Sequence, residues 1–366
     1  MMEQNRLDTF IFYITLFLAV FGLIAIYSAS ITISEKYYNN SFYFLQRQFI
    51  YLILAFALGY LIYQVNLLTL VKASLLMYLF INLLLVLTLL FGVSVNGSRR
   101  WINLIFFKLQ ASELLKLNFI LLLPYFISLK KINLDSIKSF TGILLILFIP
   151  CFFVMLEPDL GTCVVLSLTI FSVLFLSGSK KSYFVILICL AILVLSLAIL
   201  YSPYRLQRII AFLDPWKNQF SSGYQLTQAL IAYGRGDFLG LGLGASVQKL
   251  FFLPEAHTDF ILAIIAEEQG FFGLSLLFLV YIALLGLIFY KGYIASICEN
   301  HIESILCYTA GCYFFWQIAI SIGVNLGLLP TKGLTLPFVS YGGSSLLVNY
   351  CIIILVLKVG FRKEEY

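Results

Sequence analysis

From Phe10 onward the chain is a succession of long apolar runs separated by short polar connections. Crossing the hydrocarbon core of a bilayer takes about 20 consecutive apolar residues in a helix. Runs of that kind are expected at about 10–30, 43–63, 70–93, 110–128, 141–157, 160–177, 182–201, 260–290, 303–324 and 340–360. Composition closes off the soluble alternative. Of 366 residues 62% are hydrophobic and 11% charged, against about 45–50% and about 25% in soluble domains. No water-soluble surface can be built from so little polar material. The chain therefore reads as an all-α polytopic integral membrane protein of about ten transmembrane helices, forming one transmembrane domain over 1–366. The first run is longer than the core of a cleaved signal peptide and many spans follow it, so it reads as a retained helix.

Charge sets the expected orientation. With the amino terminus inside, the inner segments carry Arg6, Lys72, Lys130, Lys131, Lys138, Lys180, Lys181, Lys291, Lys358, Arg362 and Lys363. The outer connections carry Lys36, Arg47, Arg99, Arg100, Lys108 and Lys332. That is a positive-inside bias with both termini cytoplasmic. The net charge of +6 is thereby topology information, and no nucleic-acid partner is implied. The seven cysteines lie in apolar runs or in a cytoplasmic connection and show no metal spacing, so neither disulfides nor a zinc site is expected.

One segment breaks the pattern. Residues 202–259, between the seventh and eighth helices, are rich in glycine and charge yet retain Phe212, Trp216, Tyr224, Leu230, Phe238, Phe251 and Phe252. A connection this long tends to be functional, and its apolar content predicts short amphipathic pieces packed onto the helix ends on the extracytoplasmic side. It ends in LPEAHTDF, residues 253–260. There Asp259 stands at the mouth of the next helix, where it can cap free amides or act as a base at the membrane boundary. A helix amino terminus favours its ionised form, whereas burial or the neighbouring Glu255 raises its pKa.

Five further groups carry potential chemistry. Asn96-Gly97 signals a turn, which places Arg99, Arg100 and Trp101 in an outer loop suited either to gripping phosphate or to anchoring at headgroups. Glu113 and Lys116 lie three apart on an apolar helix, hence on one face, and can pair; ionisable groups inside a span usually face an interior. EPDLGT at 157–162 puts Glu157 and Asp159 at a helix break. With Asp259 it offers oxygen ligands for a divalent cation of the Mg or Mn type, with Asp159 and Asp259 as the named candidates. Arg205 and Arg208 share a face if 203–213 is helical. Finally, GLLPTKGLTLPFVSYGGSS at 327–345 combines Pro330 and Pro337 with Gly333, Gly342 and Gly343. That predicts a broken, re-entrant backbone, tolerated at membrane depth only in a protein interior or along a cavity.

These strings, from NGSRRW through QASELLKL, EPDLGT and QLTQALIAYGRGDFLGLGLGASVQKLFFLPEAHTDF to GLLPTKGLTLPFVSYGGSS, together resemble the SEDS family of shape, elongation, division and sporulation proteins. The GASVQK–LPEAHTDF and TKGLTLP wording is most similar to the division branch. The resemblance implies a glycosyltransferase of the bacterial cytoplasmic membrane, sited at the division septum, that polymerises lipid II at the outer face. It also implies a class B penicillin-binding protein and other division proteins as partners. It places the family's essential aspartate at Asp259 and assigns functional weight to Trp101, Glu113 and Lys116. Substrate contacts are expected from Arg99, Arg100, Arg205, Arg208, Lys249, Glu255, His257, Lys332 and Ser340. A lipid II flippase and a non-catalytic scaffold that recruits a transpeptidase are the competing readings.

Overall fold

A computed structural model describes residues 2–95, 98–103, 108–130, 132, 134–200, 207, 210 and 212–360. Its helices are α1 (Met2–Tyr38), α2 (Tyr43–Gln64), α3 (Leu67–Phe91), α4 (Ala111–Pro124, prolonged by a π-turn over Tyr125–Leu129), α5 (Ile137–Leu156), α6 (Leu160–Leu176), α7 (Lys181–Leu200), α8 (Tyr224–Gly236), α9 (Ile261–Ile297), α10 (His301–Asn325) and α11 (Gly343–Lys358). Among the described residues seven of these are long and apolar enough to cross a membrane: α1 to α5, α9 and α10. The helices α6 and α11 are shorter and apolar, and α7 is a further 20-residue helix, apolar apart from Lys181, Ser182 and Ser196. The ten expected runs are thus all helical. The expected break between the fifth and sixth falls at Glu157–Asp159, where Asp159 caps α6 by accepting from the Thr162 amide at 3.3 Å.

Contacts sort the connections onto two faces. On one, Lys291 reaches Asp8 and the Leu357 carbonyl, Gln4 meets Val359, and Lys358 donates to the Tyr63 and Val65 carbonyls. On the other, Thr32 donates to the Lys249 carbonyl, Arg100 to the Glu157 and Pro158 carbonyls, and Asn325 to the Asp259 carbonyl. The second face therefore holds the connections that carry Lys249, Arg100, Glu157 and Asp259. The core lies where α4, α10 and α11 meet α1, α2 and the start of α9. Much of the outward surface of α1 to α3 is exposed Phe, Leu, Ile and Tyr, as a lipid-facing wall requires.

Three expectations change. The NGSRRW region is more than a loop: β1 (Val93–Val95), β2 (Ser98–Asn103) and β3 (Lys108–Gln110) form an antiparallel sheet in the order β1-β2-β3, with Trp101 opposite both Val93 and Gln110. The eighth long helix extends to Ile297 and kinks at Gly270, whose φ of 66° and ψ of −168° suit glycine. A Cβ there would stand 2.4 Å from the Gly240 amide nitrogen, so the glycine-rich loop and the kink fit only because both lack side chains. The last helix begins at Gly343, and residues 330–342 are non-helical, as their prolines and glycines predict. The amphipathic piece expected in the long loop is α8, which buries Leu226, Ala229 and Ala232. Arg205 and Arg208 lie outside the described residues; of the segment 203–213 proposed as helical, the described positions 207, 210, 212 and 213 are helical.

Candidate functional site

The non-helical stretch 330–342 threads through the interior, so each backbone group needs a partner. Polar side chains of the surrounding helices supply them. Gln48 of α2 donates to the Ser340 carbonyl and accepts from the Gly342 amide, Gln317 of α10 donates to the Thr335 carbonyl, and Tyr281 of α9 to that of Pro337 at 2.6 Å. Close packing completes the cradle. A Cβ at Gly22 of α1 would meet the Phe338 carbonyl oxygen at 2.6 Å, and one at Gly343 the Tyr51 ring at 2.4 Å.

Asp259 is set against this segment. Its turn is tied to it by the Tyr341 amide, which donates to the His257 carbonyl at 3.0 Å. Its own carbonyl accepts from Asn325 Nδ2 at 2.8 Å. Its carboxylate Oδ2 lies where a Cβ on Gly333 would come within 2.7 Å. The N-cap of α9 is Phe260, with no side-chain capping bond, so Asp259 sits one residue outside the cap. It is half-buried, as is Lys332 next to Gly333. A half-buried carboxylate on a braced turn is a workable acceptor of a proton from a bound hydroxyl.

The break between α5 and α6 forms the neighbouring wall. A Cβ on Gly161 would touch Leu334 at 3.1 Å, which joins α6 to the re-entrant segment. Asp159 accepts from Thr162 Oγ1 at 2.8 Å, from Gln110 Nε2 at 3.4 Å and from Ser112 Oγ at 3.5 Å. Among the described residues no group of three or more His, Cys, Asp or Glu is close enough to hold a metal ion. The oxygen-rich cluster expected for Mg or Mn around Asp159 and Asp259 does not assemble, and Asp159 serves the α6 cap instead. Arg100 also departs from expectation. Its Nε and Nη2 grip the carbonyls of Glu157 and Pro158 at 2.8 and 2.7 Å, so it braces the break, while Arg99, next along β2, is exposed.

Glu157, fully buried beneath that grip, has both carboxylate oxygens without a protein partner. Burial first, then the charge of Asp159, pushes its carboxyl up to about 8, with Arg100 opposing. An acid raised on folding contributes its stability below the unfolded pKa and loses it as pH rises through the folded one. Thermal stability should therefore decline between about pH 4.5 and about 8. In Glu157→Gln that decline should flatten, as melting curves across the range will show.

Two buried ion pairs flank the site. Glu113 and Lys116 pair at 2.6 Å, both buried, as their spacing predicted. Lys249 does not face outward as a phosphate ligand would. Its ammonium meets the Gly244 carbonyl at 2.6 Å, Glu268 Oε1 at 3.0 Å and Ser28 Oγ at 3.2 Å. Those partners use the three hydrogens an ammonium has. Beside it, Glu267 accepts from Ser246 and from the Gln248 amide, with Arg235 at 3.4 Å. Sequence reasoning did not single out Glu267, Glu268, Gln48, Gln110, Gln317 or Asn325; polar residues within apolar runs were the available signal.

The remaining candidates divide. Glu255 is exposed and accepts from Thr258 Oγ1 at 3.0 Å. His257 is buried between Phe44 and Tyr341 with ring centroids at 4.4 and 5.6 Å. Burial lowers its pKa, and Glu255 opposes this. Ser340 is a correction: its hydroxyl accepts from the Leu336 amide at 2.9 Å inside the re-entrant turn, so it holds the backbone and does not present itself to a ligand. Trp101 is half-buried in the centre strand of the sheet.

Residues 8–365 match the model of a family described as cell cycle protein, FtsW/RodA/SpoVE. The chain is 43% identical over 361 residues to the probable peptidoglycan glycosyltransferase FtsW of Coxiella burnetii, covering 98% of this chain and 97% of that one. It is 43% identical to the protein of the same name from Legionella pneumophila, covering 93% and 88%. Among solved structures, a chain of a peptidoglycan synthase complex that coordinates polymerization and crosslinking superposes with a TM-score of 0.77 at 26% identity, covering 95% and 96%. The rod shape determining protein RodA of Thermus thermophilus superposes at 0.70 and 25% identity, covering 95% of each chain.

Proposed function

Because this chain belongs to the FtsW/RodA/SpoVE family, we propose that it is a peptidoglycan glycosyltransferase that polymerises lipid II into β-1,4 glycan strands at the outer face of the cytoplasmic membrane. The observation that carries the reading is the placement of Asp259. It is a half-buried carboxylate on a turn fixed by α10 and the re-entrant segment, with the cation Lys332 one residue from its contact at Gly333.

In the proposed reaction Asp259 takes the proton of the acceptor N-acetylglucosamine 4-hydroxyl. The oxygen attacks the anomeric carbon of the donor N-acetylmuramic acid from the opposite face, the carbon–oxygen bond to the diphosphate breaks, and undecaprenyl diphosphate leaves with the bonding pair. The α-linked donor thereby becomes a β-1,4 link. Charge grows on the leaving diphosphate, so fixed cations are the main source of stabilisation. Lys249 and Arg100 are occupied within the fold. Lys332 and the exposed Arg99, together with Arg205 and Arg208 of the long loop, are the cations assigned to the diphosphate. Trp101, Glu255 and His257 border the acceptor side, and the Glu113–Lys116 pair stays buried within the helix packing. A class B penicillin-binding protein and other division proteins are the proposed partners, and the septum the proposed location.

Detergent solution tests the reaction class, because a micelle has no two sides to carry a lipid between. Purified protein with labelled lipid II and its transpeptidase partner should yield glycan ladders on a gel. If only unreacted lipid II remains with a partner shown to bind, the polymerase reading falls and a carrier or scaffold takes its place.

A further inference from the structure

We infer that Asn325, the last residue of α10, is a positioning residue for Asp259. The inference rests on the reading of Asp259 as the base. Asn325 is 1% exposed, and its side-chain nitrogen donates to two carbonyls at once, that of Asp259 at 2.8 Å and that of Ser321 one turn back at 2.9 Å. A side-chain amide has two hydrogens there, and both are used. The Asp259 peptide is thus pinned to the end of a 25-residue helix, a far stiffer anchor than the loop that carries it.

Two features separate this from ordinary packing. The amide oxygen of Asn325 is buried with no protein partner, a cost that a leucine of the same size would avoid. An interior that keeps such a group gains something specific from its donor side, and what that side holds is Asp259. The second feature is electrostatic. Contact with residue 325 brings Asp259 to the carboxy-terminal end of α10, where the helix dipole is negative. That end opposes the field of the α9 amino terminus on the same residue. The other charged and titratable groups around this point are Lys332 beside Gly333, Glu255 and His257 in the same turn, and Arg47 of α2 behind Tyr341.

The experiment compares steady-state lipid II polymerisation, as a function of pH, by the full-length protein with its transpeptidase partner. The variants are Asn325→Leu, Asn325→Asp and Asp259→Asn. Misplacing a reacting group by about 1 Å costs up to about 10²-fold, so Asn325→Leu should lower kcat by about 10- to 100-fold. KM for lipid II should stay within about twofold, since binding groups are untouched. Asn325→Asp places a second carboxylate beside Asp259 and should move the acid limb of the kcat profile to higher pH. The inference is overturned if both variants keep the wild-type kcat and acid limb. It is equally overturned if kcat, KM and thermal midpoint deteriorate together with no shift of the limb, which is the mark of a purely structural residue. An active Asp259→Asn would remove the base itself; an inactive Asp259→Asn beside normal Asn325 variants removes only the positioning role.

Discussion

Replacing Asp259 by asparagine is expected to slow glycan polymerisation by about 10²–10⁴-fold, the range typical for loss of a positioned base. Asparagine has the shape of aspartate, so it keeps the contact at Gly333 and the backbone bond from Asn325. What it loses is the negative charge and, with it, the ability to take a proton. The loss should therefore lie in kcat, with lipid II binding and the thermal midpoint close to wild type. Initial rates from labelled lipid II, read alongside a melting curve, separate chemistry from folding. Full-strength ladders from a well-folded Asp259→Asn protein would leave the residue as a mere neighbour of the helix start. Lengthening the side chain to glutamate should not restore the rate, because the carboxylate already abuts the backbone at Gly333.

The second large effect concerns stability. Lys249→Met should destabilise the fold by about 3–5 kcal/mol, because it strands the buried carboxylate of Glu268 without its cation. Both side chains are buried, at 6% and 4% exposure, and the ammonium also ties Ser28 of α1 and the Gly244 carbonyl to the same point. Removing both charges together, as Lys249→Met with Glu268→Leu, should recover much of the loss, since replacing a buried pair by apolar residues is often neutral. A diphosphate ligand would behave otherwise. The single variant would then stay stable and lose donor affinity, and the double variant would be no better. Thermal unfolding of the two variants and KM for lipid II decide between these outcomes.

Much of this architecture was legible in the chain because bilayer helices are specified locally, by length and apolarity. The break at Pro158–Asp159 could be read as well, since proline and a capping aspartate act within a turn, and so could the Glu113–Lys116 pair three residues apart. What escaped is non-local. The strands at 93–110 are three to six residues long, and only their pairing across the turn defines them. Lys249 looks like a loop cation until Glu268, nineteen residues on, folds back beneath it. Arg100 and Ser340 offered functional side chains in sequence, and both are used by nearby backbone. Gly270 reads as one glycine in an apolar helix; its kink exists because Phe238 and Gly240 lie against it.

The position of α11 bears on the order in which the molecule can be built. The last helix packs on the first two. Tyr350 donates to the Thr15 carbonyl and sets its ring tilted against Phe56, Ile354 fills the gap at Gly59, and Lys358 seals the end of α2. During synthesis α1 and α2 therefore enter the bilayer long before their neighbour exists. They must wait, with small and polar residues such as Gly59 and Gln48 turned toward lipid or a chaperone, until the sixteen-residue α11 packs onto them. A ribosome stalled before Gly343 would leave the re-entrant segment, and with it the turn of Asp259, without a wall.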